Sequence, residues 1–404
     1  MKQTCRGYTL VELIVAMLVF SIVMLLISVS FSTIVRRSGQ LVKSAETDIG
    51  GLIGLELMRS DLELAGFGLH WSVTKETVIN YSEAGDYSLV FSCPDGCPQA
   101  KPSRFDDSTY PKEPNFPRAY RIGNNVGHNG SDYLVLKGSA LGTSQVSRSW
   151  CYLNYSSTGT VVKQPRGEAE LKPGKGHRVI VVKTGVKAGS ASRELVTNGS
   201  SFFLKFNEPL PNEFVPRDKG DSYLVYGVDE KGEKDQALSF PFNRADYYIS
   251  RPQPKRISSS CADGTGILYK SVINQDGWHT DYPILDCVAD MQVVLFWDTN
   301  GDEEIDYHSD LVEEAAGSAA DFRDKLKEIR VYILAQQGKI DTGYSYPVSE
   351  QDRAILVGDA ALKGPDSATL GKIWKASELA QTFGQGWRNY RWRLYTIVVQ
   401  PKNL

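Results

Sequence analysis

From Leu13 to Val35 the chain carries no charged residue and no proline. Wound as a helix, that run reaches roughly 34 Å at ~1.5 Å per residue. The hydrocarbon core of a bilayer is about 30 Å thick, so the run is long enough to cross one. A secretory signal fits poorly, because its apolar region is shorter and ends in a small-residue cleavage site. Here the run leaves as "STIVRRSGQ". A plain single-pass anchor accounts for the length but not for Glu12, which stands at the edge of the apolar block. A carboxylate in hydrocarbon is costly and needs a partner. The rest of the chain reads as a water-facing body, with 23% charged residues and a mean hydropathy of −0.28. The net charge of −3 gives no strong electrostatic pull toward nucleic acid.

Past Val35 the helical pattern continues in a half-exposed form. Leu41, Ala45, Ile49, Leu52, Leu55 and Leu62 fall on one stripe, into which Asp48, Glu56 and Arg59 intrude. Gly50, Gly51 and Gly54 each weaken a helix by about 1 kcal/mol relative to Ala. They predict a bend or loosening there, with the helix ending near "AGFGLHW". From about residue 72 short β-like runs alternate with turns: "YSLVFS", "DYLVLKG", "HRVIVVKTG", "SYLVYGV", "ADYYIS", "GILYKSVI", "MQVVLFW", "EIRVYILA" and "LYTIVVQ". A proline-rich stretch after Cys93 reads as a surface loop, and "DLVEEAAGSAADFRDKLKEI" as a short helix or two. With 404 residues the chain suits one large or two medium domains. The fold class expected is α+β: a long N-terminal hydrophobic helix, then a large antiparallel β-rich domain.

The first residues resemble the N-terminal signal of type IV prepilins and pseudopilins. A basic leader, "MKQTCRG", ends in Gly7; aromatic Tyr8 follows; Glu12 is fifth counting from Tyr8, within "TLVEL". The plain alternative is an anchor with a chance glutamate. The resemblance implies that residues 1–7 are a leader, cut after Gly7 by a prepilin peptidase that also methylates the Tyr8 amine. It implies that 8–35 is a transmembrane and later filament-core helix, 36–70 its amphipathic continuation, and 71–404 an extracytoplasmic globular domain. Glu12 would then act in assembly. Lys2 and Arg6 fit the positive-inside orientation. Later segments, "LELMRSDLELAGFG", "ADYYIS" with "GILYK", "MQVVLFWDTNGDEEIDY", "LKEIRVYILAQ" and the closing "YRWRLYTIVVQPKNL", resemble PilW-type minor pilins in content and order.

That family implies a structural subunit that helps prime or cap type IV pilus assembly. It would be single-pass in the inner membrane with its domain periplasmic, then at the cell surface near the pilus tip. The partners implied are the peptidase, other minor pilins, the major pilin and, before assembly, the inner membrane; nucleic acid is not expected. A J-type minor pseudopilin of a type II secretion system shares the same signal, and an adhesin or DNA-uptake subunit is a third reading.

Six cysteines are present. Cys5 lies in the leader segment. Cys261 with Cys287 is the preferred disulfide, since both flank the same β-rich section. "CPDGC" can close a loop through Cys93 and Cys97, or either can pair with Cys151; an odd thiol then remains. "WDTNGDEEIDYHSD" alternates Asp298, Asn300, Asp302, Glu304 and Asp306, the oxygen pattern of a calcium loop. Glu303 stands where such a loop has Gly, and Ser309 where it has a bidentate Glu, so a solvated turn is the competing reading. Calcium is the candidate ligand and no other cofactor is expected. No enzyme is expected either, because no hydrolase, zinc-protease or nucleotide-binding motif occurs. Arg388, Arg391 and Arg393 interleave with Tyr390 and Trp392, either as a stacking surface or as the two faces of a strand.

Overall fold

In the computed structural model the described residues are 10–74, 79–89, 100–107, 116–166, 170–187, 190–228, 237–251, 257–310, 318–364 and 369–404. One helix, α1 (Leu10–Leu64), carries the apolar run straight into the domain. The strands in chain order are β1 (Ser72–Val73), β2 (Tyr120–Gly123), β3 (Tyr133–Gly138), β4 (Trp150–Ser156), β5 (Gly159–Lys163), β6 (Arg178–Lys187), β7 (Ser190–Leu195), β8 (Leu204–Lys205) and β9 (Ser222–Gly227). They continue with β10 (Asn243–Ser250), β11 (Gly266–Ile273), β12 (His279–Trp297), β13 (Tyr307–Ser309), β14 (Leu326–Gln337), β15 (Ile355–Val357), β16 (Lys372–Trp374) and β17 (Arg391–Val399). Among the described residues two short α-helices, α2 (Ala319–Lys325) and α3 (Ala376–Phe383), follow α1.

The central sheet runs β17-β14-β12-β11-β10-β3-β2, with β13 beside β12. All its pairings are antiparallel. A second sheet runs β1-β7-β6-β9-β4-β5, with β8 on β6, and β15 and β16 form a separate hairpin. The α+β architecture expected from the patterning is the one observed. Alternation explains the layers, because successive side chains on a strand face opposite ways. Met291, Val293 and Leu295 of β12 join α1's Leu55, Met58 and Leu62 in the main core, which also takes Ile180 and Val182 of β6. Val294 and Phe296 point to the other face, into a second core with Trp374, Phe383, Trp387 and Trp392. Val179 and Val181 of β6 enter a third core with Leu153 and Val225. Strands buried on both faces read as unbroken apolar runs, which is why "MQVVLFW" and "HRVIVVKTG" do not alternate.

Three expectations change. The helix does not loosen at its glycines; its hydrogen-bonded turns run through residues 50–54. A Cβ on Gly54 would sit 2.3 Å from the Ile284 carbonyl oxygen, and one on Gly51 2.9 Å from Leu285 Cδ1. The glycines therefore let α1 lie close against β12, and that packing offsets their low helix propensity. Second, Leu52 is exposed and Gly51, Gly54, Leu55, Met58, Asp61, Leu62 and Ala65 form the buried stripe; the expected stripe was rotated at that position. Third, "YSLVFS" forms a single bridge, Leu89 to Ala100, with residues 90–99 outside the described set. In the 310–329 stretch, Ala319–Lys325 is helical and the chain enters β14 at Leu326.

Candidate functional site: the exposed helix and its seat on the domain

The N-terminal half of α1 protrudes. Leu10–Ser28 has a mean hydropathy of 3.0 and none of it is buried inside the molecule. A solvated surface this apolar and this long needs a nonaqueous or protein environment. Its polar interruption at Ser21 is satisfied within the helix, the hydroxyl donating to the Met17 carbonyl at 2.8 Å. Glu12 lies within the helix, near the start of the described residues. Gly7 and Tyr8, the proposed cleavage position, lie outside the described residues.

The other half of α1 is seated on the central sheet by polar contacts as well as by packing. Asp61 is buried on the helix's inner stripe. Tyr247 of β10 donates its hydroxyl to Asp61 at 2.6 Å, and Lys270 of β11 forms an ion pair with the same carboxylate oxygen. Burial and Asp61 together hold the Tyr247 phenol protonated, well above its usual range. At the next residue the Tyr120 hydroxyl donates to the Leu62 carbonyl at 2.7 Å. The Asn403 amide, from the far end of the chain, donates to Glu63 O at 2.7 Å. These bonds occupy carbonyls that a helix C-terminus otherwise leaves unpaired. Gly66, at φ +85°, makes the turn that follows. Outside, Glu56 and Arg59 face water as a loose pair at 3.7 Å, which is why these charges do not disturb the stripe.

A second buried network fastens the segment that follows the helix. Lys137 of β3 donates to Glu83 at 2.8 Å, Asp107 at 2.6 Å and the Phe105 carbonyl at 3.2 Å. Arg244 of β10 grips Asp246 through both Nε and Nη2, and donates through Nη1 to Glu83 and Asp106. Burial, and then Glu83 nearby, push Asp106 up to about 6. Burial alone would raise Asp107 too, but Lys137, Arg118 and Arg121 hold it below the usual carboxylate range. Neither network was legible beforehand. Asp61 could have been suspected, because an acid at helical spacing between Met58 and Leu62/Ala65 sits where only apolar residues belong.

The remaining candidate positions are placed as follows. Cys261 and Cys287 are bonded, with Cα atoms 5.0 Å apart, as preferred from the sequence. Cys151 is a free, buried thiol, pushed up to about 12 by burial; Cys93 and Cys97 lie outside the described residues. The acidic stretch folds as a tight loop. Asp298 accepts from Gly301 N–H and Glu303 N–H at 2.6 and 2.9 Å, Asn300 from Asp302 N–H, and Asp302 from Glu304 N–H. Asp306 accepts from Thr299, and Lys327 lies 3.4 Å from Asp298. Glu303 adopts the left-handed φ of +69° that a glycine would take more cheaply. Among the described residues no group of three or more His, Cys, Asp or Glu is arranged to hold a metal ion.

Ser271, His279 and Asp281 lie together but cannot relay a proton. Both Ser271 Oγ and Asp281 Oδ1 approach the same nitrogen, His279 Nδ1, at 3.3 and 2.8 Å, whereas a nucleophilic triad uses the two ring nitrogens separately. In the "RNYRWR" run Trp392 is buried in the second core, its indole N–H donating to Trp387 O. Arg391 pairs with Asp341 at 3.0 Å; Arg391, Trp392 and Arg393 open β17, whereas Arg388 lies in the short 3-10 turn Trp387–Asn389 before it and Tyr390 links the two.

Residues 2–28 match the family model of the prokaryotic N-terminal methylation motif. No curated protein matches the chain, and no solved structure does. The match covers Gly7, Tyr8, Glu12 and the exposed apolar span together. The chain thus carries a type IV pilin-like prepilin signal, joined to a helix long and apolar enough to anchor it in a membrane.

Proposed function

We propose that this protein is a minor pilin of the PilW type. After cleavage following Gly7 and methylation of Tyr8, it would join other minor pilins in the complex that primes or caps a type IV pilus. The observation that carries the reading is the methylation motif, set on an apolar helix that the domain leaves uncovered. A helix held rigidly at its C-terminal half and bare at its N-terminal half can leave a bilayer for a bundle of like helices without unfolding the domain. A domain this large is hard to repeat closely along a shaft, which favours a tip position. In a staggered bundle Glu12 of one subunit can face the Tyr8 amine of its neighbour, an attraction that low dielectric strengthens.

The test is a deletion strain scored for pili, twitching and secretion together, with intact-mass analysis of the native protein. Loss of pili with secretion intact, and a mature chain beginning at methylated Tyr8, is the expected result. Loss of secretion with pili intact would instead make it a J-type pseudopilin. A stable chain still beginning at Met1 in peptidase-positive cells would end the prepilin reading altogether.

A further inference from the structure

Among the described residues of the domain, Trp278 is the most exposed aromatic side chain, at 62%. It stands at the tip of the β11–β12 hairpin, and its backbone is fixed there. Gly277 turns the chain at φ +80°, Asn274 N–H donates to Trp278 O at 2.7 Å, and Asp276 Oδ1 accepts from Trp278 N–H at 2.9 Å. The ring is fixed as well. Tyr87 stacks on it with centroids 5.6 Å apart and planes 13° from parallel, and Tyr87 also stacks on His279 at 4.9 Å. His279 is held by Asp281 at 2.8 Å, and Tyr248 donates to the same carboxylate oxygen at 3.1 Å. An indole stacked on one neighbour and still this exposed keeps its other face open, and the stack behind it limits its motion. Such preorganisation favours binding, because little ordering remains to be done.

The rim decides the occupant. Gly85 N–H donates to Gly277 O at 2.9 Å, bringing Asp86 and its partner Lys101 (2.9 Å apart) beside the turn that carries Asp276. Lys101 offsets Asp86, and Asp276 leaves the turn with a net negative charge, which disfavours a phosphate backbone. A single ring is also too small a patch for an apolar peptide. A sugar ring suits both features: its C–H face stacks on an indole and its hydroxyls donate to carboxylates. We propose that Trp278 is the stacking platform of a saccharide site, taking a neutral pyranose on its open face with hydroxyls directed to Asp86 and Asp276.

The proposal uses nothing from the pilin reading, and its test leaves processing and assembly untouched. The full-length chain in detergent is titrated calorimetrically with maltohexaose, cellohexaose and chitohexaose, and with a single-stranded oligothymidine. At least one hexasaccharide should bind. Trp278→Ala should weaken it about tenfold or more, the loss of one aromatic stacking contact, with the melting temperature unchanged. Trp278→Tyr should keep most of the affinity. If the alanine variant does not fold, Trp278→Leu, apolar but ringless, should lose binding in its place. No binding of any hexasaccharide, equal binding by the ringless variant, or binding of the oligothymidine alone would each overturn the proposal.

Discussion

The seat of α1 makes its sharpest prediction at Asp61. Its carboxylate is 1% exposed and serves two groups at once, the Lys270 ammonium and the Tyr247 hydroxyl. Asp61→Ala leaves the Lys270 charge buried against a lost partner, which costs about 3–5 kcal/mol. The orphaned Tyr247 hydroxyl alone would cost about 1–3 kcal/mol. The two penalties overlap because they share one carboxylate, so the total should stay near about 3–5 kcal/mol. That is a large part of the roughly 5–15 kcal/mol that holds a domain together. The assay is urea unfolding of the full-length chain in detergent, followed by tryptophan fluorescence. A control separates stranded charge from simple loss of packing. Asp61→Leu with Lys270→Met and Tyr247→Phe removes every polar partner at similar volume and should recover to within about 1 kcal/mol of wild type. A cost below about 1 kcal/mol for Asp61→Ala, or a triple variant no more stable than the single one, would refute the buried lock.

Other tests follow from the same geometry. Gly54→Ala should destabilise by about 1–3 kcal/mol in the same unfolding assay, since crowding against Ile284 outweighs the roughly 1 kcal/mol gained in helix propensity. His70 is buried, neither ring nitrogen has a hydrogen-bond partner among the described residues, and burial pushes it down to about 3. The unfolded chain therefore binds a proton that the folded one refuses, so stability falls as pH drops below about 6.5. The loss should reach about 2 kcal/mol at pH 5, and His70→Leu should flatten that limb of the stability-against-pH curve. Glu12→Val should still be cleaved and membrane-bound by fractionation and mass analysis, yet fail to restore pili to a deletion strain; full restoration would remove Glu12 from assembly. Melting curves in millimolar calcium and in chelator test the 298–306 loop: coincident curves leave a solvated turn, and a rise with calcium makes it a site.

What the chain announces by itself is local. The bare helix, the leader pattern ending at Gly7, the α+β class and most strands of the central sheet follow from runs of neighbouring residues, because helix and strand periods and motif spacings are short-range signals. The Cys261–Cys287 pair was within reach for the same reason, both residues flanking one β-rich section. Tertiary structure decided everything that depends on contacts distant in sequence. Gly51 and Gly54 read as weak points in a helix until Ile284 and Leu285 are seen against them. Glu56 and Arg59 looked like defects in the buried stripe and face water, while Asp61 sits inside it with Lys270 and Tyr247. Glu83, Asp107, Lys137 and Arg244 come from segments scattered over the chain and neutralise one another only once β3 and β10 are paired. A charge's worth is set by its distance to other charges and by the water removed around it, and neither quantity is written in the order of residues.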